Sequence, residues 1–289
     1  MSNINTILER KPKNIAVNTN PQHDLHLVQP EIPEPGPNEC LVHVRATGIC
    51  GSDVHFWKHG RIGDMVVCGE NGLGHESSGV VIKTGANVTR HKAGDRVAIE
   101  CGIPCSKPTC HFCRTGRYNA CPEVVFCSTP PYHGTLRRYH THPEDWLHPL
   151  PDKLSYEEGS LLEPLSVALA GIDRANLRLG DPLVICGAGP IGLVTLLAAH
   201  AAGAAPIVIT DIDQNRLTRA KELVPRVRTV LVGGAGEDAK TLGARMVDAL
   251  GVEAKLVLEC TGVESSIQAA IYVSQLMNVY DFWDMLTLS

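Results

Sequence analysis

The sequence predicts an α/β protein in two parts, a β-rich first half followed by a doubly wound parallel sheet. Three observations predict it. Up to about Pro151, short β-rich runs alternate with Gly, Pro and Asn clusters. From Ser155 onward, helical runs alternate with apolar strands. A glycine turn, GAGPIG, closes the first of those strands and opens a helix.

Each element follows from local pattern. Cys40 to Ala46, Gly79 to Lys83 and Arg96 to Glu100 read as strands of an irregular all-β part. Ser155, followed by Glu157 and Glu158, reads as the start of a connecting helix. The boundary lies between Pro151 and Gly171, giving domains at 1–160 and 161–289. At about 100–200 residues per domain, 289 residues suit two full cores. Leu183 to Cys186, Ile207 to Thr210, Thr229 to Val232 and Leu256 to Glu259 supply four strands of the second part. Pro182 to Thr210 carries no formal charge and is long enough to cross a bilayer. Gly187, Gly189, Pro190, Gly192, Gly203 and Pro206 punctuate it, however, which makes it a buried strand–helix–strand unit rather than a membrane span.

Composition narrows the function. With 31 acidic and 26 basic residues the net charge is −5, and apolar residues make up 44%. That balance removes disorder and the basic face of a nucleic-acid binder, and no cysteine pair is followed by a histidine pair at zinc-finger spacing. The opening MSNINTILERKPKN has charges where a signal peptide needs an apolar stretch, so a cytoplasmic protein is expected. Eleven cysteines, an odd number in a long chain and a reducing compartment, favour metal ligation over disulfides. Cys40, Cys68, Cys101, Cys127, Cys186 and Cys260 are scattered and read as inert core residues.

Three motifs carry chemistry. Cys105, Cys110, Cys113 and Cys121 stand as C-x4-C-x2-C-x7-C, which can close a tetrahedral shell around a structural zinc, with Cys101 an alternative first ligand. Cys50 in GICGSDVH, with His75 and Glu76 in GHESSGVV, offers a thiolate, an imidazole and a carboxylate, a set that suits a zinc with an open position. A satisfied core His–Glu pair is the competing reading. In GAGPIG, Gly187, Gly189 and Gly192 let a pyrophosphate approach the helix N-terminus. Asp211 ends the next strand, where it can bind an adenosine ribose; that carboxylate favours NAD, and Arg216 softens its preference against NADP. Zinc and nicotinamide together imply alcohol oxidation, and Ser52 and His55 are placed to pass the alcohol proton to solvent, unless they are ordinary turn residues.

These residues resemble the zinc-containing medium-chain alcohol and polyol dehydrogenases. GHESSGVVIKTGANV fits the zinc signature G-H-E-x2-G-x5-G-x2-V at every fixed position. GSDVHFWKHG, STPPYHGTLRRY, LLEPLSVALAGIDRA and ECTGVESSI are most similar to the fungal L-arabinitol 4-dehydrogenases, with sorbitol and xylitol dehydrogenases as near relatives. The resemblance implies a GroES-like catalytic domain joined to a Rossmann domain, one catalytic and one structural zinc, and NAD. It matches Cys50, His75 and Glu76 to the catalytic zinc, and Glu163 to a carboxylate that reaches the zinc or its water. It matches Ser52 and His55 to the proton relay, the four clustered cysteines to the structural lobe, and Pro190, Ile191, Asp211 and Arg216 to NAD contacts. The implied reaction is oxidation of L-arabinitol to L-xylulose in arabinose catabolism, by an enzyme whose full-length relatives are homo-oligomers.

The C-terminus departs from that pattern. A six-stranded sheet needs two more strand–helix units after Glu259, at roughly 30 residues each, and 30 residues remain. From about Tyr272 the chain reads YVSQLMNVYDFWDMLTLS, with Val273, Leu276, Met277, Tyr280 and Trp283 at helical spacing. The expectation is an incomplete Rossmann sheet, a terminal amphipathic helix, and weak or no turnover; a non-catalytic zinc-binding remnant is the competing class.

Overall fold

The computed structural model describes residues 5–233, 237–273 and 279–281. Two compact units divide the chain, Met1–Glu163 and Pro164–Ser289.

The first unit is built on a five-stranded antiparallel sheet. Its strands lie in the order Tyr139–Pro143, Glu39–Gly48, Glu76–Thr84, Arg96–Ile99, Leu147–Pro149. Alternating side chains fill both faces, as the period of two requires. Cys40, Val42, Val81, Val97, Ile99 and Leu147 pack on one side, and Leu41, Ile82 and Tyr139 on the other. Burying each large side chain contributes about 1.5–3 kcal/mol. The pairing of Glu39–Gly48 with Glu76–Thr84 slips at Leu41/Val42 and again at Val44/Ala46. Such bulges re-aim a strand end. Here they set Gly48 opposite Glu76 and so carry Cys50 toward His75. A short hairpin, Gly102–Ile103 against Val125–Phe126, projects the four-cysteine loop. Ser155 caps the helix Tyr156–Ser160: its hydroxyl accepts from Glu158 N at 3.0 Å, and its own N–H donates to the Glu158 carboxylate at 2.7 Å.

The second unit is a parallel sheet in the order Arg228–Leu231, Ile207–Asp211, Leu183–Cys186, Leu256–Glu259, Val279–Asp281. Helices cover both faces, which explains strands apolar along their whole length. Leu183, Ile185, Ile207, Ile209, Leu256 and Leu258 enter one core; Val184, Cys186, Val208, Val230 and Val257 enter the other. Chain order along the sheet reverses between Leu183–Cys186 and Leu256–Glu259. Ligands of open α/β sheets bind at such a switch point, beyond the carboxyl ends of the strands.

The expected terminal helix is corrected at Val279–Asp281. These residues form a fifth strand, with Val257 opposite Val279, Leu258 opposite Tyr280 and Glu259 opposite Asp281. Leu256–Glu259 would otherwise present unpaired backbone groups at a sheet edge, and a Val-Tyr pair suits a strand. Spacing in a short apolar run does not separate the two states. Five strands, not four, are therefore counted among the described residues. The helix Glu264–Val273 buries Val273, while Leu276, Met277 and Trp283 lie outside the described residues. Among the described residues no helix is long and apolar enough to cross a membrane.

Candidate active site

Cys50 lies two residues after the strand Glu39–Gly48 and caps the helix Gly51–His59, which places it where strand turns into helix. Glu76 begins the neighbouring strand and His75 directly precedes it, both buried. One ligand atom from each of Cys50, His75 and Glu76 lies within 4.8 Å of the others. Glycines permit that convergence. A Cβ on Gly48 would fall 2.0 Å from Glu76 Oε2, and one on Gly74, at φ +91°, would fall 2.7 Å from Leu136 N.

The electrostatics of this cluster call for a cation. Burial alone would lower the pKa of His75, but the Cys50 hydrogen bond and the charges of Asp53 and Glu163 outweigh it and lift the imidazole to about 9. Burial pushes half-buried Glu163 up to about 7, with Glu76 and Asp53 adding to the effect against the opposing pull of His75. Burial likewise raises Glu76. Three carboxylates and a thiol thus crowd one imidazole. The buried Nδ1 of His75 has no hydrogen-bond partner and faces Asp53 Oδ1 at 3.7 Å. An imidazole whose Nδ1–H faces a carboxylate keeps Nε2 as an electron-pair donor. A thiolate, an imidazole and a carboxylate, with a second carboxylate at hand, fit zinc with an open position.

Asp53 is the residue that sequence reasoning missed. Its buried carboxylate accepts from Cys50 N at 3.1 Å, Gly74 N at 2.8 Å and Ser128 Oγ at 2.8 Å. It therefore ties both ligand-bearing segments together. The signal was present as an acid three residues after a helix cap. Ser52 and His55 share one face of the helix Gly51–His59, being three residues apart. Ser52 is half-buried in the first turn; His55 is exposed, its ring 5.0 Å from that of His59.

In the projecting loop, Cys105, Cys110, Cys113 and Cys121 also bring their sulfurs within 4.8 Å of one another. Cys105 Sγ lies 3.8 Å from Cys113 Sγ. Tetrahedral zinc with Zn–S near 2.3 Å sets sulfurs about 3.8 Å apart, so the loop fits the ion. Cys101 is elsewhere, buried beside Cys127. The scattered cysteines are also not uniformly core residues: Cys68 is exposed, and Cys127 stands with His140 and His142.

In the second unit, Gly187 follows the strand Leu183–Cys186 at φ +98°. Gly189 caps the helix Pro190–Ala201, and Pro190, at its first position, has no N–H to leave unsatisfied. A Cβ on Gly192 would sit 1.9 Å from Gly187 O, whereas one on Gly189 would meet no protein atom within 4 Å. The helix is thus pressed against the turn at Gly192, and the space over Gly189 is open. Ile191 lies in the first helical turn, half-buried. Asp211 is buried and accepts from Ala188 N at 2.7 Å and Asp213 N at 2.8 Å, with Arg216 Nη1 3.7 Å away. Each of its oxygens keeps a lone pair for a further donor.

Known proteins resemble the chain at both levels. Residues 36–152 match the alcohol dehydrogenase GroES-like domain. An L-arabinitol 4-dehydrogenase of Talaromyces emersonii is 54% identical over 90% of this chain and 70% of its own length. The chain belongs to the polyol branch of the zinc-containing medium-chain dehydrogenases. Sorbitol dehydrogenase of Bos taurus, another member of that branch, is 47% identical over 91% of this chain and 73% of its own. The fold is that of the family: 2R,3R-butanediol dehydrogenase from Bacillus subtilis superposes with a TM-score of 0.79 at 29% identity, over 93% of this chain and 77% of that one. The antiparallel unit is accordingly the GroES-like part and the parallel unit the Rossmann part.

Proposed function

We propose that this polyol dehydrogenase oxidises the C4 hydroxyl of L-arabinitol to give L-xylulose, reducing NAD, and that it works in the cytoplasm on arabinose breakdown. The observation that carries the reading is the convergence of Cys50, His75 and Glu76 donors within 4.8 Å. Supporting it are the NAD-type turn with Asp211 and the identity to L-arabinitol 4-dehydrogenases at 52–54%. When bound, zinc supplies a Lewis acid and the nicotinamide a hydride acceptor.

The chain's own residues do the rest. Cys50, His75 and Glu76 would hold the catalytic ion, and Cys105, Cys110, Cys113 and Cys121 a structural one. Glu163, a further carboxylate whose charge acts on His75, would stand beside them within reach of the ion or its water. The Ser52 hydroxyl and the exposed imidazole of His55 form the exit for the alcohol proton. Gly187, Gly189, Pro190, Ile191 and Gly192 would receive the pyrophosphate, and Asp211 the ribose, with Arg216 at its edge. No nucleic-acid or membrane partner enters the reading; homo-oligomers of full-length members are part of it.

The test is NADH formation by the purified chain with L-arabinitol, sorbitol and xylitol in parallel, each with NAD and NADP. The reading expects L-arabinitol with NAD to give the highest kcat/KM. A preference for sorbitol or xylitol would move the substrate within the branch. Absence of turnover with all three, in a protein that binds zinc and NADH, would refute it.

A further inference from the structure

A third cluster of soft ligands lies in the first unit, made of residues that belong to neither site above. His140 and His142 stand two apart on the strand Tyr139–Pro143, so they share a face, opposite Val42 and Cys40 of the adjoining strand. Cys127 immediately follows the strand Val125–Phe126, and its N–H donates to Cys101 O at 3.1 Å. Ligand atoms of Cys127, His140 and His142 all fall within 4.8 Å of one another.

The details match a metal site better than a polar core contact. His142 is fully buried and its Nε2 lies 2.9 Å from Glu100 O. A carbonyl only accepts, so Nε2 carries the proton and Nδ1 keeps its lone pair; a backbone carbonyl behind a ligating histidine is a common support. That Nδ1 lies 3.2 Å from His140 Nε2. Tetrahedral zinc with Zn–N of 2.0–2.1 Å sets two imidazole nitrogens about 3.3 Å apart, so little movement is needed to admit an ion. The Cys127 sulfur is buried beside the Cys101 thiol and His140, so a second sulfur stands next to the first.

We propose that Cys127, His140 and His142, with Cys101 beside them, bind a third metal ion of the d10 class, Zn2+ or Cu(I). Thiolate and imidazole select such ions over the hard cations. The site also has a place in the catalytic unit. Phe126 packs on His75 with ring centroids 5.4 Å apart, and Ser128 donates to Asp53. Cys127 lies between them in sequence. An ion on its sulfur would anchor the segment that steadies His75 and Asp53, acting as a positioning device rather than in the chemistry.

The test counts ions. The metal-stripped, reduced protein is titrated with Zn2+, and separately with Cu(I), against a chromogenic chelator, alongside Cys127→Ala and His140→Phe. Wild type is expected to take one more equivalent per chain than either variant, whatever the occupancy of the other two sites. Loss of that equivalent from the zinc titration makes the ion zinc; loss from the copper titration alone makes it Cu(I). Equal counts in wild type and both variants, with both metals, would overturn the proposal. Should those variants fail to fold, the milder Cys127→Ser and His140→Gln take their place in the same comparison with wild type, and the same outcomes support or overturn the proposal. Co2+ substitution gives a second reading independent of activity, since the His140→Phe difference spectrum should contain a thiolate-to-cobalt charge-transfer band.

Discussion

His75 Nδ1 lies 3.7 Å from Asp53 Oδ1, and the same oxygen accepts hydrogen bonds from Gly74 N and Ser128 Oγ. One buried carboxylate therefore places its charge against the imidazole and fixes the backbone directly before it. Asp53→Asn keeps an oxygen for those donors but removes the charge that makes His75 a strong donor. Outer-shell partners of this kind are worth about 10–100-fold in metal affinity. Chelator competition should show that loss at the Cys50, His75, Glu76 site, with the four-cysteine site unaffected. Unchanged affinity would mean that Asp53 serves the fold alone.

Two glycines of the nucleotide turn should fail in different ways. A Cβ on Gly192 meets Gly187 O at 1.9 Å, so Gly192→Ala must push the helix Pro190–Ala201 off the sheet. Its thermal midpoint should drop by several degrees, in line with a loss of about 1–3 kcal/mol for overpacking. Gly189→Ala meets no protein atom, so it should melt like wild type while binding NADH at least tenfold more weakly, the methyl taking pyrophosphate space. Differential scanning fluorimetry and NADH fluorescence titration separate the two. If Gly189→Ala bound NADH normally, the pyrophosphate would not lie over that residue.

Much of this was legible in the sequence, because short-range spacing encodes it. GAGPIG needs only its own strand and helix, and the C-x4-C-x2-C-x7-C loop closes on itself. The adjacent His75 and Glu76 were visible, but their union with Cys50 depends on two bulges that composition does not reveal. Choosing Cys105 over Cys101 required the hairpin register, which sends residue 101 into the core opposite Cys127. The cluster of Cys127 with His140 and His142 was hidden for the same reason, since cross-strand neighbours far apart in sequence leave no periodic signal. The strand Val279–Asp281 was misread because an apolar run of that length fits both periods until a sheet edge selects one.

The lobe ligand can be tested directly. Cys105→Ala should lower bound zinc by one ion per chain and expose the segment between Pro104 and Cys121, which has little apolar burial of its own, to proteolysis. Cys101→Ala should leave that ion in place. Mass spectrometry of limited digests, with metal content measured on the same samples, reports both. Equal zinc loss from the two variants would return Cys101 to the lobe.

His43 sets an acid limit on the first unit. It is buried between strands, its Nδ1 has no hydrogen-bond partner, and its ring lies 5.3 Å from that of Tyr139. Burial, aided by Lys11, Arg45 and Arg138, lowers its pKa from 6.5 to about 4. The folded value lies below the unfolded one, so the unfolded chain binds more protons between them. Stability is unaffected above about pH 6.5 and is lost as pH falls from there toward 4. At pH 5 the loss amounts to roughly 1–2 kcal/mol. His43→Phe keeps a ring against Tyr139 and removes both the titration and the unpartnered nitrogen. Thermal midpoints taken at pH 7.5 and 5 should therefore converge in the variant relative to wild type, with a gain at pH 5. Parallel pH profiles for the two proteins would show that acid sensitivity originates elsewhere.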